Sequence, residues 1–277
     1  IQRLHDSIAY NMINVKDTNI DWSYLIVDWF PHDNRYLYKN GRLSSLLTRS
    51  NIQSLIVDKS IAEPESLSGD SFYELFAKNA GVRHTDAEWI LILNADIIVP
   101  KQMWKEIQDI IDTDKGLINF YRARYRTEMM LGEDPERSLL KPPASHTNNF
   151  LGHVVDMRKK SNPDDHVGGP FGGDLIMMRK DVFSKYGRAY DETNTGHRSK
   201  TLRQATMDSE ILLNLDFHGA KMVQFETPYI HIFHGHPFNA HRTSAHHNPN
   251  GYENKEDWGF IKYNKELAFN GREDISI

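Results

Sequence analysis

The run Leu91-Ile-Leu-Asn94-Ala95-Asp96-Ile-Ile-Val-Pro100 takes an apolar segment into a carboxylate and then into a proline. Apolar residues of this kind form a buried strand, and Pro100 is a favoured first-turn residue of a helix. Ligands of open α/β sheets bind beyond the carboxyl ends of strands. A carboxylate exposed there can hold a hard divalent cation, which would neutralise a diphosphate leaving group. The simpler role for Asp96 is to cap the helix that follows. The second chemical signal is histidine. Of 14 His in the chain, six lie between His231 and His247, three of them within Tyr229-Ile-His231-Ile-Phe-His234-Gly-His236-Pro.

These groups need a scaffold, and the chain alternates strand-like with helix-like segments. Trp22–Asp28, Ile52–Asp58 and Glu88–Asn94 are continuous apolar runs, as expected of strands covered on both faces. Between the second and third, Asp70 or Ser71 can cap a helix. Its stripe is Phe72, Leu75, Phe76, Asn79 and Ala80. A helix from Pro100 carries Met103, Trp104, Ile107, Ile110 and Ile111. Leu117–Arg126 reads as one strand, with Arg122, Arg124 and Arg126 on a single face, solvated by default or, in the sharper reading, in contact with a diphosphate or anionic acceptor. The polar segment 126–169, broken by Pro135, Pro142, Pro143 and Pro163, reads as a functional loop region. Asp174–Arg179 is a strand followed by a short helix to Tyr186, and Met207–Phe217 is a helix stopped by Gly219. Lys221–Phe233 is extended and broken by Pro228. The expected fold class is α/β, with a mostly parallel central sheet flanked by helices and an irregular second half.

Composition narrows the chemistry further. The chain has 277 residues and a mass of 32.1 kDa, with 39% hydrophobic residues, enough for a full core. Its formal charge is −5 and its pI near 6.3, which argues against nucleic acid or an anionic membrane held by bulk charge. No cysteine is present, which excludes disulfides, thiol catalysis and iron–sulfur clusters. No apolar run is long enough to span a bilayer. The absence of cysteines and of Asn-x-Ser/Thr acceptors favours a cytoplasmic setting. The chain does not begin with Met, as expected of a processed or trimmed piece of a larger polypeptide.

The run Phe76-Ala-Lys-Asn79-Ala-Gly81-Val-Arg83, followed by Glu88-Trp-Ile-Leu-Ile-Leu-Asn-Ala-Asp96, resembles the nucleotide-sugar half of GT-A-fold glycosyltransferases. It is most similar to the inverting, family-2-like group, which carries an Ala-x-Asn-x-Gly-type helix before a strand ending in Asp-x-Asp. Leu25-Ile-Val-Asp28-Trp29 resembles the family's second strand, where an acid lies near the nucleotide base. The resemblance covers most of the chain at low identity. It implies a single GT-A-like domain over 1–277, with residues 1–100 as nucleotide-sugar half and 101–277 as acceptor and catalytic half. Asn94 stands where the family has the first acid of Asp-x-Asp. The family's first strand has no counterpart ahead of the helix at Ile1–Met12, so part of the base-binding floor is expected outside this chain.

The resemblance also implies roles. Asp96 would hold Mn²⁺ or Mg²⁺ on the diphosphate of a nucleoside-diphosphate sugar, with His234 or His231 completing the site. In a regular strand His231 and His234 face opposite sides, so a turn is needed for both to reach one ion. A self-contained zinc site is the competing reading. Asp28, Asp58, Asn79 and Asn94 are candidates for the nucleotide, and Trp29 for stacking on a base or sugar. Asp174, after Gly168-Gly-Pro-Phe-Gly172-Gly173, can accept hydrogen bonds from sugar hydroxyls; otherwise the segment is a glycine-rich turn. Asp208, in Thr206-Met-Asp208-Ser-Glu210, is the candidate base toward a hydroxyl of a glycan or other acceptor, with Glu210 behind it. A helix N-cap is the alternative for Asp208, and Met207 replaces the family's usual first acid. Two other functions stand beside transfer: a GT-like domain that binds sugar nucleotide or glycan without turnover, and a nucleotidyltransferase. The latter needs a glycine-rich, basic loop after its first strand, which is not found.

Overall fold

The computed structural model describes residues 2–29, 41–57, 74–114, 116, 118–123, 125–140, 154–156, 174–187, 211, 215, 218–233 and 268–269. The fold is mixed α/β. It forms two compact units, one from Ile1–Ile20, Glu88–Gly187 and Leu212–Ser244, the other from Asp21–Ala87, Arg188–Ile211 and Ala245–Ile277.

In the second of these units, β1 (Tyr24–Trp29) pairs in parallel with β2 (Ile52–Val57), after helix α2 (Gly41–Leu47). The short β11 (Ala268–Phe269) pairs antiparallel to β2 on its other side. Helix α3 (Glu74–Arg83) packs on β1. Its Gly81 is close against the strand: a Cβ there would stand 3.1 Å from Val27 Cγ2. The glycine of the Asn79-Ala-Gly81 motif thus permits helix-on-strand approach.

The first unit holds helix α1 (Gln2–Asn14) and two four-stranded sheets. One sheet has the order β3 (Trp89–Leu93), β8 (Leu175–Arg179), β5 (Asn119–Ala123), β9 (Lys221–Phe225). The other has the order β4 (Ile97–Ile98), β10 (Tyr229–Ile232), β6 (Tyr125–Met129), β7 (Val154–Asp156). Helix α4 (Lys101–Thr113) starts just after Pro100 and buries Met103, Trp104 and Ile107. Helices α5 (Pro135–Leu139) and α6 (Lys180–Lys185) are short.

Among the described residues the chain passes from the first of these sheets to the second three times, from β3 to β4, from β5 to β6 and from β9 to β10. Each passage leaves the carboxyl end of a strand. Registers Leu93↔Leu175, Arg122↔Ile176 and Ala123↔Phe225 set those three ends, and the start of β8, along one edge. Glu106 of α4 fixes the last passage by accepting from the backbone N–H of Glu226 at 3.0 Å and of Thr227 at 3.2 Å.

Several expectations change. Among the described residues three strand pairings are parallel and five antiparallel, so no mostly parallel sheet is seen. An apolar run reports that a strand is covered, not which way its neighbour runs: β3 is apolar and lies antiparallel to β8. Leu117–Arg126 is not one strand but the junction of β5 and β6, in different sheets. Arg122 and Arg126 therefore share no face, and both are buried rather than solvated. The segment 126–169 contributes β6, α5 and β7 rather than only loop. The helix after β2, the helix after Pro100 and the break at Pro228 stand as expected.

Candidate functional site

Strands β6 and β10 lie parallel, with Tyr229 opposite Arg126 and His231 opposite Glu128. Side chains alternate along a strand, so these four share one face. Their neighbours Met129, Ile230 and Ile232 point the other way and form an apolar cluster with Ile98. The polar face meets the edge where β3 ends and β8 begins, which brings in Asn94, Asp96 and Asp174.

The resulting network is tightly connected. The Asp174 carboxylate takes three donors: the Asn94 amide at 2.8 Å, the Tyr229 hydroxyl at 2.7 Å and Arg126 Nη1 at 3.3 Å. Arg126 Nη2 is 2.6 Å from Glu128 Oε1. Glu128 Oε2 is 2.6 Å from His231 Nδ1. The other ring nitrogen, Nε2, lies 3.7 Å from Asp96 Oδ2. Arg126, Glu128 and His231 are at most 6% exposed in their side chains, whereas Asp96 is 13% and Asp174 19% exposed. The network thus has a buried floor and a wetter rim made of the two aspartates.

Charge follows from burial and neighbours. Burial opposes the charge on Arg126, but Tyr229, Glu128 and Asp174 outweigh it and raise its pKa above the ordinary value. Burial, reinforced by the Asp174 carboxylate and opposed by Arg126, pushes the Tyr229 phenol well above 10.0. Tyr229 therefore stays a donor to Asp174. Three carboxylates, Asp96, Glu128 and Asp174, face a single guanidinium, Arg126, within this set.

The Asp96 turn is held from outside the sheets. Ser7, Asn11 and Asn14 lie on one face of α1, at i, i+4 and i+7. Ser7 Oγ donates to Ala95 O at 2.9 Å, and Asn14 Nδ2 to Val99 O at 2.9 Å. Asn11 makes the two bonds that a strand neighbour would: its amide donates to Ile97 O at 3.0 Å and accepts from Val99 N–H at 2.7 Å. The Ile232 N–H donates to Asp96 O at 2.9 Å, tying the turn to β10.

Asp96, Asn94, Asp174 and His231, read from the sequence as site residues, are thus brought together. Asp28 and Asn79 are buried in the other unit, at 7% and 0% exposure. Asp28 is not the last residue of its strand, which runs on to Trp29. Trp29 packs on Phe76 with ring centroids 6.3 Å apart. Asp58, Asp208, Glu210, His234 and His236 lie outside the described residues. Sequence reasoning missed Glu128 and the pairing of Arg126. The signal was Arg126-x-Glu128 and Tyr229-x-His231, two polar pairs at strand spacing.

Among the described residues no set of three or more His, Asp or Glu side chains converges as a metal site. Asp96 and His231 do offer a mixed oxygen and nitrogen pair. At 3.7 Å they are beyond hydrogen-bond reach of each other. Adjacent ligands each about 2.1 Å from an octahedral ion stand roughly 3.0 Å apart, so this pair would have to close by several tenths of an ångström to share a Mg²⁺ or Mn²⁺. A cation that keeps waters and substrate phosphates needs only one or two protein ligands. No helix among the described residues is long and apolar enough to cross a membrane. No family model matches the chain, and a search of curated proteins finds no match.

Proposed function

We propose that the chain is a GT-A-type glycosyltransferase that moves a hexose from a nucleoside-diphosphate sugar to a hydroxyl of a glycan or other acceptor, with inversion. The observation that supports this reading is the Asp96–His231 pair, set beyond the carboxyl end of β3 in a network of three carboxylates and one guanidinium. Mn²⁺ or Mg²⁺ bound there would supply countercharge to the diphosphate.

In this reading the acceptor oxygen attacks the anomeric carbon as the bond from that carbon to the diphosphate oxygen breaks. The acceptor proton passes to a carboxylate, and the nucleoside diphosphate leaves. Asp174 is a poor choice for that base. An ionised carboxylate has about four acceptor positions, and three donors already occupy Asp174. Its remaining capacity suits one sugar hydroxyl. The base is assigned to Asp208 on the family resemblance.

The test is thermal stability against a panel of sugar nucleotides, with and without Mn²⁺. A ligand at about 100 times its dissociation constant stabilises the fold by about 2.7 kcal/mol. One donor should raise the melting temperature, and only with Mn²⁺. Asp96→Ala should abolish that shift and lower turnover at least ~100-fold, as loss of the countercharge costs several kcal/mol. A cation-independent shift, or full activity in Asp96→Ala, would refute the assignment. Asn94, which stands where the family has an acid and donates its amide to Asp174 at 2.8 Å, favours a second reading, binding without transfer. Donor binding with no turnover over a broad acceptor panel would select it.

A further inference from the structure

We infer that Asn94 is a positioning residue: it anchors Asp174 so that a single acceptor position, on Oδ1, is left for one sugar hydroxyl. This deepens the transferase reading and rests on a sugar being the ligand at this edge. The starting observation is which carboxylate oxygen is taken. Asp174 Oδ2 receives the Tyr229 hydroxyl at 2.7 Å and Arg126 Nη1 at 3.3 Å. Among the described residues, Oδ1 receives the Asn94 amide alone, at 2.8 Å. An ionised carboxylate has about two acceptor positions on each oxygen, so the one left over lies on Oδ1, beside Asn94.

Asn94 is tied to Asp174 twice. Its backbone N–H donates to Asp174 O at 3.1 Å, one step past the last β3–β8 register pair, Leu93↔Leu175. The side-chain amide then makes a second bond between the same two residues. Because an ionised carboxylate only accepts, the amide nitrogen has to face it, which fixes the orientation of the amide. Asp174 is thus gripped on one oxygen from the end of β3 and on the other from β6 and β10. Tyr229 and Arg126 are almost wholly buried, so that second grip does not swing. Turning the carboxylate would break all three bonds together. Its side chain is 19% exposed, which leaves the remaining position within reach of a ligand. A hydroxyl has an O–H to give there; an ether, carbonyl or ionised phosphate oxygen only accepts and is turned away. An aspartate at 94 would have no N–H to offer. It would restore the Asp-x-Asp pattern and lose the grip on Oδ1.

The experiment uses the full chain and measures dissociation constants by thermal-shift titration. The probes are UDP- and GDP-hexoses with Mn²⁺, the free hexoses, and the monodeoxy analogues of whichever sugar binds tightest. In the unmodified protein, loss of one particular hydroxyl should weaken binding about 10- to 100-fold, as expected of a hydrogen bond to a charged group. Asp174→Asn should bring the ratio between the parent sugar and that analogue toward unity. Asn94→Asp should bind the parent sugar more weakly and lower the same ratio. A merely structural loss would weaken parent and analogue alike and keep the ratio. Tighter binding in Asn94→Asp, as a restored cation ligand would give, would overturn the role. So would a ratio unchanged in Asn94→Asp, or no deoxy analogue weaker than its parent. If Asn94→Asp does not fold, Asn94→Ala decides: it removes the amide without adding charge, and an unchanged ratio there overturns the role. Failure of the transferase reading looks different: free hexoses bind with the expected ratio but no sugar nucleotide does, and Asn94 keeps its role. If neither class of probe binds, both readings fall.

Discussion

Strands β6 and β10 have two faces that share a backbone and little else. On one, Met129, Ile230 and Ile232 close over Ile98 with Tyr10 and Leu139 at the margin. On the other, Arg126, Glu128, Tyr229 and His231 form a chain of charge-assisted contacts. Both faces are buried. The apolar face gains from leaving water, and any well-packed set of similar volume would serve it. The polar face gains little net from burial, since desolvation of paired charges offsets most of their attraction. What it has instead is direction, because particular donors are matched to particular carboxylate oxygens. A face that stabilises the fold and a face that orients a site can therefore occupy alternate residues of the same strands.

Substitutions can break that contrast, beginning with the largest effect. Arg126→Met removes the only cation facing Glu128 and Asp174 within the network described above. It should lower unfolding free energy by about 3–5 kcal/mol in urea titration, as expected when a buried ion pair loses one member. A small loss would mean the polar face orients nothing. Tyr229→Phe removes a donor to a carboxylate and should cost about 1.5–3 kcal/mol. It also sharpens the comparison by pH. The folded pKa of Tyr229 is raised above the unfolded value of about 10, so its contribution is complete below that pH and is lost as pH rises through the folded value. The stability gap between the unmodified protein and Tyr229→Phe should thus narrow above about pH 10.

On the apolar face the effects should be smaller and indifferent to pH. Ile230→Val deletes one methylene and should cost about 0.5–1.5 kcal/mol by chemical denaturation, with no change in any Mn²⁺ response. Thr127, on the same face, has a buried hydroxyl with no hydrogen-bond partner among the described residues. Thr127→Val should stabilise the fold by up to about 1 kcal/mol in the same assay. A loss there would show that the hydroxyl is satisfied.

The contrast also explains what could be read in advance. Strand β3 and helix α4 were legible because hydrophobic periodicity is local and their apolar residues are contiguous or evenly spaced. Asp96 was legible because it follows directly on such a strand. Strand β6 was not, because Tyr-Arg-Thr-Glu-Met has the polarity of a surface loop. Its burial depends on partners that arrive 48 residues later at Asp174 and 103 residues later at His231. Hydropathy assigns a charge to solvent unless the opposite charge is in view. The split of Leu117–Arg126 into β5 and β6 was hidden for a related reason: which sheet a strand joins depends on partners distant in sequence, β8 and β9 for β5 and β7 and β10 for β6.

Asn94 changes meaning in this light. Its amide donates to Asp174 at 2.8 Å, a bond that an ionised aspartate could not make. An acid at that position would set two carboxylates against each other.

The clamp that α1 places on residues 95–99 has its own consequence. Three side chains there bond backbone atoms rather than other side chains, so they hold the course of the chain without reading which residues it carries. Asp96 could be exchanged and the turn would keep its path. Conversely, shortening the protein from its start, or fusing a bulky tag that displaces this helix, would loosen the turn while leaving every acidic group intact. An inactive truncated preparation would then report a lost brace rather than a lost reactive group. Slow amide exchange at Val99, whose N–H is capped by the Asn11 side chain, would be the sign that the brace is in place.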